Sequence, residues 1–487
     1  MEYLETLLQL PEVSSERPII SRRPVVNPQE RVDSLKSQQA EAFWGLVQDL
    51  QDPNVNWTVL EGYAGTGKSY LIATLIEYVL FHWRKQVSMT APTNKAVKVL
   101  RKEAMYNSPN LDFLTIHSLL GLREQIDGYG RQKFVQMNRD ACKIGEKDIL
   151  IIDESSMLSD ELFDLIEPYV TTGDLKVIFV GDPCQIPPVG MDQSIPFKEA
   201  KRKELGMKHY ALTEIVRQAE GNPIIEATMK LRSVLNRDIA FPVKESKYDE
   251  ATGDGIHWFD STRKPDMVKL LTTYFTSPNF KADADFAKVV CWTNDAVDGF
   301  NQLIRKKIYG ADLKFMMKGE KLIANKPIIE TMDGEKVIVF NNNDEFEVLD
   351  YQVKNGNWKG TPLNYYETLV EYCTPTGEVG TQHIKIIHED SIEAYIGILD
   401  NLTELAQAEK KGSWEAAQKW KDWFAFKEIF ADVSYNYAIT GHKSQGSTYE
   451  NCFVVEPDID RNRKTTEKNR IKYTAFSRPK KKLFVIC

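Results

Sequence analysis

The stretch "LEGYAGTGKSYLI" at residues 60–72 decides the fold of the first part of this chain. It contains a glycine, four free positions and then Gly-Lys-Ser, the pattern of a phosphate-binding loop. Such a loop has to join a strand to a helix, and "WTVLE" precedes it while "SYLIATLIEYVL" follows it. We therefore predict a nucleoside triphosphate site here. The residues predicted to surround the phosphates are Gly62, Ala64, Gly65, Thr66, Gly67, Lys68 and Ser69.

A second stretch, "DILIIDESSM", supplies the acidic half of such a site. Four apolar residues bring Asp153 and Glu154 to the end of a predicted strand, where parallel α/β sheets carry their chemistry. Asp153 and the Ser69 hydroxyl are predicted to hold Mg²⁺, and Glu154 to polarise the attacking water. Lys68 is predicted to reach the β and γ phosphates. Two adjacent carboxylates can also cap a helix, but their combination with Lys68 favours hydrolysis.

Composition narrows the class of protein. The chain has 487 residues, 42% of them hydrophobic, and a net charge of −8, which predicts two to four globular domains at about 150 residues each. The basic run at 461–482 is, on charge alone, typical of a solvated face, although a local basic channel suffices to contact nucleic acid. The six cysteines are isolated and predict reduced thiols in a cytoplasmic setting. No apolar run predicts a membrane span.

The pattern of apolar, polar and turn-forming residues changes along the chain. Residues 1–33 are rich in proline and predict an extended arm. The apolar runs "WTVLEG", "QVSMTAP", "DILIIDE" and "KVIFVGD" predict buried parallel strands. Residues 121–145 contain an Asp-Gly turn between alternating residues and predict a hairpin, while 311–390 alternate in the manner of a small β-barrel. Residues from 391 to about 430 are rich in aromatic side chains and predict helices. The alternation of predicted strands and helices then resumes.

Further motifs occur in a fixed order: "APTNKAV" (91–97), "TIHSLLG" (115–121), "GDPCQIPPV" (181–189), "LTEIVRQ" (212–218), "TGHKSQGST" (440–448) and "YTAFSRPKKKLFVI" (473–486). Together with the phosphate loop and "DESS", this set resembles the superfamily 1 helicases. The wording of "TIHSLL" and "HKSQGST" is similar to the 5′-to-3′ branch, superfamily 1B, which includes the Dda, RecD2 and Pif1 types. The resemblance implies an α/β fold with two RecA-like P-loop domains.

The same resemblance implies where the domains lie. A β-hairpin pin at 121–145 would be inserted in the first RecA-like domain, 34–225. An SH3-like β-barrel with a helical extension, 311–430, would be inserted in the second, which is formed by 226–310 and 431–487.

It also implies roles for individual residues. Gln39 matches the glutamine that reads adenine, and Gln185 matches the sensor that couples the γ-phosphate to DNA. Arg217 and Arg478 match the two arginines that approach the γ-phosphate from across the cleft, with Gly446 nearby. The residues matching a single-strand channel are Pro92, Thr93, Asn94, Thr115, His117, Asn294, Thr440, His442 and Lys443. Phe134 is predicted to stack at the split base pair, with packing onto its own domain as the alternative, and Asn94 departs from the histidine of the Dda type.

The function implied by the resemblance is an ATP-dependent, Mg²⁺-requiring 5′-to-3′ DNA helicase of DNA replication, recombination or repair. Its expected partners are single-stranded DNA, duplex junctions and a single-strand binding protein or other replication proteins. Two other readings remain open: a translocase that displaces proteins with little unwinding, and a non-motor binding module. RNA also remains open as the tracking strand, because contacts to phosphate do not read the sugar strongly.

Overall fold

A computed structural model of the chain describes residues 4, 7–10, 27–104, 108–126, 132–136, 142–215, 221–235, 237, 245–260, 262–332, 335–358, 360–374 and 378–487. Its strands are β1 (Trp57–Gly62), β2 (Val87–Ala91), β3 (Leu111–Thr115), β4 (Leu122–Ile126), β5 (Gln132–Gln136), β6 (Ile149–Ile152), β7 (Lys176–Gly181), β8 (Lys208–Leu212), β9 (Lys247–Tyr248), β10 (Gly255–Phe259), β11 (Ala287–Cys291), β12 (Lys321–Ala324), β13 (Ile328–Met332), β14 (Glu335–Phe340), β15 (Glu345–Trp358), β16 (Thr361–Cys373), β17 (Val379–Ile387), β18 (Val433–Tyr435), β19 (Ala438–Thr440), β20 (Tyr449–Val455) and β21 (Pro479–Ile486).

The α-helices are α1 (Gln29–Asp33), α2 (Ser37–Gln51), α3 (Lys68–His82), α4 (Asn94–Ala104), α5 (Ile116–Leu119), α6 (Asp160–Thr171), α7 (Glu199–Glu204), α8 (Pro223–Ser233), α9 (Lys264–Phe275), α10 (Pro278–Ala282), α11 (Asn294–Tyr309), α12 (Ile392–Gln407), α13 (Trp414–Lys427), α14 (Glu456–Asp460) and α15 (Thr465–Phe476). No helix among these described residues is long and apolar enough to cross a membrane.

The first sheet, sheet 1, has the strand order β3-β2-β6-β7-β1-β8, and every neighbouring pair in it is parallel. Strands β2 and β6 are buried along their whole length, as expected for a parallel sheet covered on both faces. Strand β7 separates β1 from β6, so the phosphate loop and Asp153 leave the same edge of the sheet two strands apart. The α/β prediction is confirmed.

The second sheet, sheet 2, has the order β19-β11-β20-β21-β10-β9, with only its edge pair β9 and β10 antiparallel. It is assembled from two separate parts of the chain, before residue 310 and after residue 437. The hydroxyls of Tyr309 and Tyr437 lie 3.3 Å apart. The chain therefore leaves sheet 2 and rejoins it at neighbouring positions.

The chain divides into two compact units. The first comprises Met1–Ile116, Lys143–Gly310 and Tyr437–Cys487 and contains both sheets, while the second comprises His117–Cys142 and Ala311–Asn436. In the second unit, an antiparallel sheet has the order β17-β16-β15-β12-β18, and β13 pairs with β14. Strands β4 and β5 pair as the predicted hairpin, from Leu122 opposite Gln136 to Ile126 opposite Gln132. The roles of this hairpin as a pin and of the sheet as an SH3-like barrel stay predictions.

The N-terminal segment corrects one expectation. An extended arm was expected through residue 33, but Gln29–Asp33 is helical as α1. Val32 is buried in the core of sheet 1, and Arg31 forms an ion pair of 3.2 Å with Glu77. Leu7 is fully buried, and its carbonyl accepts a hydrogen bond from the Tyr274 hydroxyl at 3.2 Å. Leu7 and Val32 thus anchor the two described parts of this segment to the first unit.

Candidate nucleotide and nucleic-acid site

The phosphate loop joins β1 to the first turn of α3. Gly65 and Gly67 have φ angles of 83° and 77°, a left-handed conformation that glycine adopts without a steric cost. A side chain at Gly62 would lie 2.8 Å from Thr66 Oγ1, so the turn also needs a glycine there. Lys68 Nζ donates to the carbonyls of Gly62 at 2.6 Å and Tyr63 at 3.2 Å. The loop therefore holds the lysine ammonium beside the amino end of α3, where helix amides and dipole favour an anion.

The acidic pair lies directly after β6. The Glu154 amide donates to Asp153 Oδ1 at 2.8 Å, and the Asp153 amide donates to the Thr90 carbonyl at 2.8 Å. Glu154 has a φ of 49°, which is uncommon for a residue with a side chain and costs about 1 kcal/mol or more. Strained backbone of this kind concentrates at functional sites. This geometry turns the Glu154 side chain away from the path that a continuing strand would give it.

The donor set at this edge suits Mg²⁺. Ser69 lies in the first turn of α3 and Asp153 follows β6. Mg²⁺ prefers oxygen ligands and is usually bound by one or two protein groups together with substrate phosphates and water. A hydroxyl and a carboxylate beside a phosphate loop meet that requirement.

A cavity of about 200 Å³ adjoins the loop. Its lining includes Gln39 and Thr66. Gln39 is buried, its side-chain amide donates to the Thr66 carbonyl at 3.1 Å, and its side-chain oxygen accepts from the Lys36 amide at 3.1 Å. Gln38 also lines the cavity, and its side-chain oxygen accepts from the amides of Thr213 and Glu214. The cavity thus offers an enclosed space lined by polar groups beside the phosphate loop, which is what a nucleotide base requires.

The loop after β7 carries Gln185. Gln185 is buried, and its side-chain oxygen Oε1 has no hydrogen-bond partner in the described structure. An orphaned buried acceptor costs roughly 1–3 kcal/mol, which a bound ligand with a donor would recover. In the same loop Asp182 accepts from the Cys184 amide at 2.9 Å and from the Tyr473 hydroxyl at 2.6 Å. The loop is therefore joined to a side chain of α15, the helix that precedes the last strand of sheet 2.

Arg478 follows α15 and is 5% exposed. Its guanidinium donates to the carbonyls of Thr474 at 2.9 Å and Ser447 at 3.2 Å, and to Ser477 Oγ at 2.8 Å. These three acceptors are neutral oxygens. A buried cation held by neutral acceptors keeps its charge for an anion such as a phosphate, with which it forms strong charge-assisted hydrogen bonds.

The pKa of the Asp182 carboxyl depends on charged residues from both sheets. Burial raises the pKa of the Asp182 carboxyl above its usual range, and attraction to Lys68 and Arg478 opposes that rise. Lys68 leaves sheet 1, whereas Arg478 precedes the last strand of sheet 2. The Tyr473 hydroxyl donates to the same carboxylate at 2.6 Å, so this loop after β7 contacts the helix that precedes the last strand of sheet 2.

Gly446 lies where a loop after β19 of sheet 2 closely approaches the start of α4, which follows β2 of sheet 1. Its φ is 68°, and a side chain there would lie 2.9 Å from Ala96 Cβ and 3.6 Å from Thr93 Oγ1. Lys95, between these two residues, forms a 2.8 Å ion pair with Asp285 beside sheet 2. Gly446 thus adjoins the motif at 91–97 that was predicted to contact DNA, and its predicted role in ATP binding stays a prediction.

The residues predicted to line a nucleic-acid channel follow strands at one side of each sheet. Pro92, Thr93 and Asn94 follow β2, and Thr115 ends β3. Asn294 follows β11, while Thr440, His442 and Lys443 end or follow β19. Strands β3 and β2 form one end of sheet 1, and β19 and β11 form one end of sheet 2. Strands β6 and β7 separate β2 from β1, so the predicted channel residues after β2 lie beside Asp153 at the end of β6 and two strands away from the phosphate loop.

Two histidines of this set are half-buried. Burial lowers the pKa of His117 and of His442 below the usual range, with Glu467 partly opposing the effect at His442. Both rings are therefore predominantly neutral at pH 7, and they would serve a nucleic acid as hydrogen-bonding or stacking groups. His117 belongs to the second unit.

The side chains of two predicted site residues, Arg217 and Phe134, are not among those that the structure describes. Arg217 lies outside the described residues. Phe134 lies opposite Glu124 in the register of β4 and β5, but its side chain lies outside the description.

Sequence reasoning missed three side chains that meet the Gln185 loop: Gln445, Arg470 and Tyr473. Arg470 Nη1 donates to the carbonyls of Pro183 at 2.7 Å and Gln185 at 2.8 Å. Gln445 Nε2 donates to the Ile186 carbonyl at 2.7 Å. Gln445 lies in the motif at 440–448 and Tyr473 in the motif at 473–486, so their motifs could have identified both as candidates. Arg470 lies outside these motifs, in the basic run that was interpreted as a solvated face.

Two family models match the chain. Residues 34–241 match an AAA domain, and residues 435–486 match a UvrD-like helicase C-terminal domain. These ranges contain the phosphate loop and Arg478, respectively.

The chain is similar in sequence to several curated proteins, among them three ATP-dependent DNA helicases. The ATP-dependent DNA helicase Dda of Enterobacteria phage T4 is 27% identical over 445 residues, covering 88% of this chain and 93% of Dda. The ATP-dependent RecD2 DNA helicase of Deinococcus radiodurans is 34% identical over 172 residues, covering 35% of this chain and 21% of RecD2. The ATP-dependent DNA helicase PIF1 of Saccharomyces cerevisiae is 30% identical over 195 residues, covering 36% of this chain and 20% of PIF1.

Proposed function

From the premise that the chain belongs to superfamily 1B, the family of ATP-dependent DNA helicases that includes Dda, RecD2 and Pif1, we propose a specific activity. The protein translocates 5′-to-3′ on single-stranded DNA and unwinds duplex DNA with the energy of ATP hydrolysis. The direction is supported by the resemblance of "TIHSLL" and "HKSQGST" to the 5′-to-3′ branch.

The observation that carries the proposal is the placement of Arg478. This arginine is buried and held by neutral oxygens, and it follows α15, whose Tyr473 hydroxyl donates to Asp182 in the loop after β7 at 2.6 Å. An arginine supplied from across a cleft to the transferring phosphoryl group is worth roughly 10³–10⁵ in rate. Bound ATP would therefore draw the two sheets together, and hydrolysis would release them.

The remaining side chains have roles in this cycle. The base occupies the cavity beside Gln39, and the loop amides with Lys68 bind the phosphates. Ser69 and Asp153 would hold Mg²⁺, which neutralises phosphate charge when bound. Glu154 orients the attacking water, and the unpartnered side-chain oxygen of Gln185 accepts a hydrogen bond when the site is filled. Arg217 is proposed as the second arginine.

The single strand is proposed to follow the channel residues at the β3/β2 and β19/β11 ends of the two sheets. Small hydroxyl groups such as Thr93 and Thr440 reach phosphate oxygens, which fixes the strand without reading its sequence. The hairpin of β4 and β5 is proposed as the pin that separates the duplex, with Phe134 at its stacking position. We place this activity in cytoplasmic DNA replication, recombination or repair, with a single-strand binding protein as a partner.

The test is unwinding of matched duplexes that carry either a 5′ or a 3′ single-stranded tail, with Lys68→Ala as the inactive control. The expected result is ATP-dependent opening of the 5′-tailed duplex alone. Opening of only the 3′-tailed duplex would contradict the direction. DNA-stimulated hydrolysis without opening of either duplex would identify a single-strand translocase, and absence of stimulated hydrolysis would leave a binding module. A 5′-tailed duplex with an RNA tracking strand tests the choice of nucleic acid.

A further inference from the structure

The segment at residues 182–186 is attached to sheet 2 as well as to sheet 1. It follows β7, yet three side chains from beyond residue 440 hold it: Gln445 on the Ile186 carbonyl, Tyr473 on the Asp182 carboxylate, and Arg470 on the Pro183 and Gln185 carbonyls. All four hydrogen bonds measure between 2.6 and 2.8 Å. The position of Gln185 therefore depends on sheet 2.

Arg470 makes the most direct of these attachments. One of its nitrogens donates to the carbonyls on both sides of Cys184, and one of the two belongs to Gln185 itself. A guanidinium is planar and rigid, so two acceptors on one nitrogen fix the curvature of the chain between them. The same residue, Gln185, carries the buried Oε1 that has no partner. Arg470 thus fixes the backbone from which this acceptor is presented.

Arg470 and Tyr473 are three positions apart on α15, a spacing that places side chains on one helix face. Arg478 follows the carboxyl end of the same helix and returns a hydrogen bond to the Thr474 carbonyl within it. One helix therefore carries two of the three attachments to the Gln185 segment and leads directly to the arginine proposed for the γ-phosphate. A displacement of α15 would move both groups together.

We propose that Arg470 is a positioning residue that locks Gln185 to α15, so that phosphate sensing and the relative movement of the two sheets stay coupled. This inference rests on the proposed helicase function and adds a residue to it. Without Arg470, Arg478 still reaches the phosphate, but Gln185 no longer follows it. Hydrolysis then proceeds slowly and is poorly converted into strand separation.

The test compares Arg470→Met, which keeps length and removes all donors, with Arg470→Lys, which keeps a charged donor. Arg463→Met is the matched control, since Arg463 is an exposed arginine of the same basic run. The measurements are the kcat and KM for ATP with saturating single-stranded DNA, and the base pairs opened per ATP consumed. Thermal melting of each variant establishes that it is folded.

Arg470→Met is expected to lower the DNA-stimulated kcat by about 10- to 100-fold, the size of effect that a small misplacement produces. The KM for ATP should change by less than about threefold, because the base and phosphate contacts do not involve Arg470. The base pairs opened per ATP should also fall, and Arg470→Lys should lie between Arg470→Met and the wild type in both quantities. Tyr473→Phe, which removes only the hydroxyl on Asp182, should lower the coupling ratio in the same direction.

A folded Arg470→Met protein whose kcat and coupling ratio equal those of Arg463→Met would overturn the positioning role and leave the helicase function standing. A loss of kcat that Arg470→Lys does not relieve and that tracks a lowered melting temperature would assign Arg470 to stability alone. A wild-type protein without DNA-stimulated hydrolysis would overturn the proposed function and this inference together.

Discussion

Glu154 and Gly446 both have left-handed backbone, and the difference between them is the side chain. Glu154 tolerates this conformation because the end of β6 and the Asp153 carboxylate fix its amide. Gly446 has no side chain to place, and the space beside it is filled by Ala96. At Glu154 the backbone strain accompanies a carboxylate that the site needs. At Gly446 the close approach of Ala96 excludes any larger residue.

Gly446→Ala is therefore expected to impair the protein at two levels. The φ of 68° costs roughly 1–3 kcal/mol for a residue with a side chain, and the added methyl would lie 2.9 Å from Ala96 Cβ. We expect a lower free energy of unfolding and a reduced DNA-stimulated ATPase rate. Chemical denaturation and steady-state ATPase assays measure the two effects.

Gly299→Ala is the matched control. Gly299 lies inside α11 and a side chain there would meet nothing within 4 Å, so alanine should stabilise the helix by up to about 1 kcal/mol. Equal effects of the two substitutions would contradict the close approach at Gly446.

At this scale, the sequence predicts residues whose function depends on local spacing. The strand–loop–helix order around Lys68 follows from a short pattern that includes its own backbone geometry. Arg470 could not be predicted in that way, because its acceptors are two carbonyls almost 290 positions earlier in the chain and every residue has a carbonyl. A basic run also resembles a solvated face until the fold is known.

Among the elements, the start of α11 depends on a residue far along the chain. Asp458, in α14, accepts hydrogen bonds from the amides of Trp292 and Thr293 at 2.8 Å and from Thr293 Oγ1 at 2.7 Å. Thr293 in turn caps α11 through the Ala296 amide. The position of Asn294, the first residue of α11, is therefore set by a buried carboxylate.

Asp458→Ala is expected to lower the free energy of unfolding by about 2–3 kcal/mol, because it leaves partly buried donors without an acceptor. It should also weaken binding of single-stranded DNA, measured by fluorescence anisotropy, if Asn294 contacts the strand. Asp298→Ala is the control, since it removes the same charge from an exposed position of α11. Similar losses in the two variants would argue against a specific role for Asp458.

The N-terminal segment is an element whose anchoring can be tested separately. Leu7 is fully buried and its carbonyl accepts from Tyr274, so Leu7→Asp should lower the free energy of unfolding by roughly 2–3 kcal/mol. Gln9→Asp introduces the same charge at an exposed neighbour and should change it by less than about 0.5 kcal/mol. Thermal and urea unfolding provide the measurement, and equal stability of the two variants would indicate that the segment is not docked in solution.

The same segment shows where prediction of elements from sequence ends. The apolar runs of sheet 1 identify their strands because both faces of a parallel sheet are covered. Leu7 lies in "MEYLETLLQL", before the first proline, and nothing local to that stretch identifies its partner, because its burial against Tyr274 depends on a surface formed by residues more than 260 positions later.

For the molecule as a whole, acid stability is predicted to depend on His257. This ring is fully buried in β10, accompanied by Phe484 and Tyr248, and its Nε2 lies 2.8 Å from the Gly253 carbonyl. Burial lowers the pKa of His257 to about 4, the hydrogen bond to Gly253 opposes this, and Lys482 adds to it. Because the folded-state pKa lies below the unfolded value of 6.5, the unfolded chain binds the proton first as the pH falls.

The stabilising contribution of neutral His257 is therefore complete above pH 6.5 and is lost between pH 6.5 and about 4. The shift corresponds to roughly 3 kcal/mol over the whole window. Urea unfolding at pH 7.5 and pH 5 should show a smaller decrease for His257→Gln than for the wild type, because glutamine does not titrate. The same pH dependence in both proteins would exclude His257 as the responsible group.

The neighbouring tyrosines at residues 309 and 437 have a consequence for the ancestry and engineering of this protein. A segment whose two ends emerge side by side can be shortened, lengthened or exchanged without changing the path of the chain that surrounds it. Residues 311–436 therefore form an exchangeable insertion. Grafting the corresponding segment of a relative between Gly310 and Tyr437 should leave the ATPase activity intact and change how the protein contacts a DNA fork. In evolution, the same arrangement allows the insertion to diverge while the two sheets that carry the ATPase residues stay unchanged.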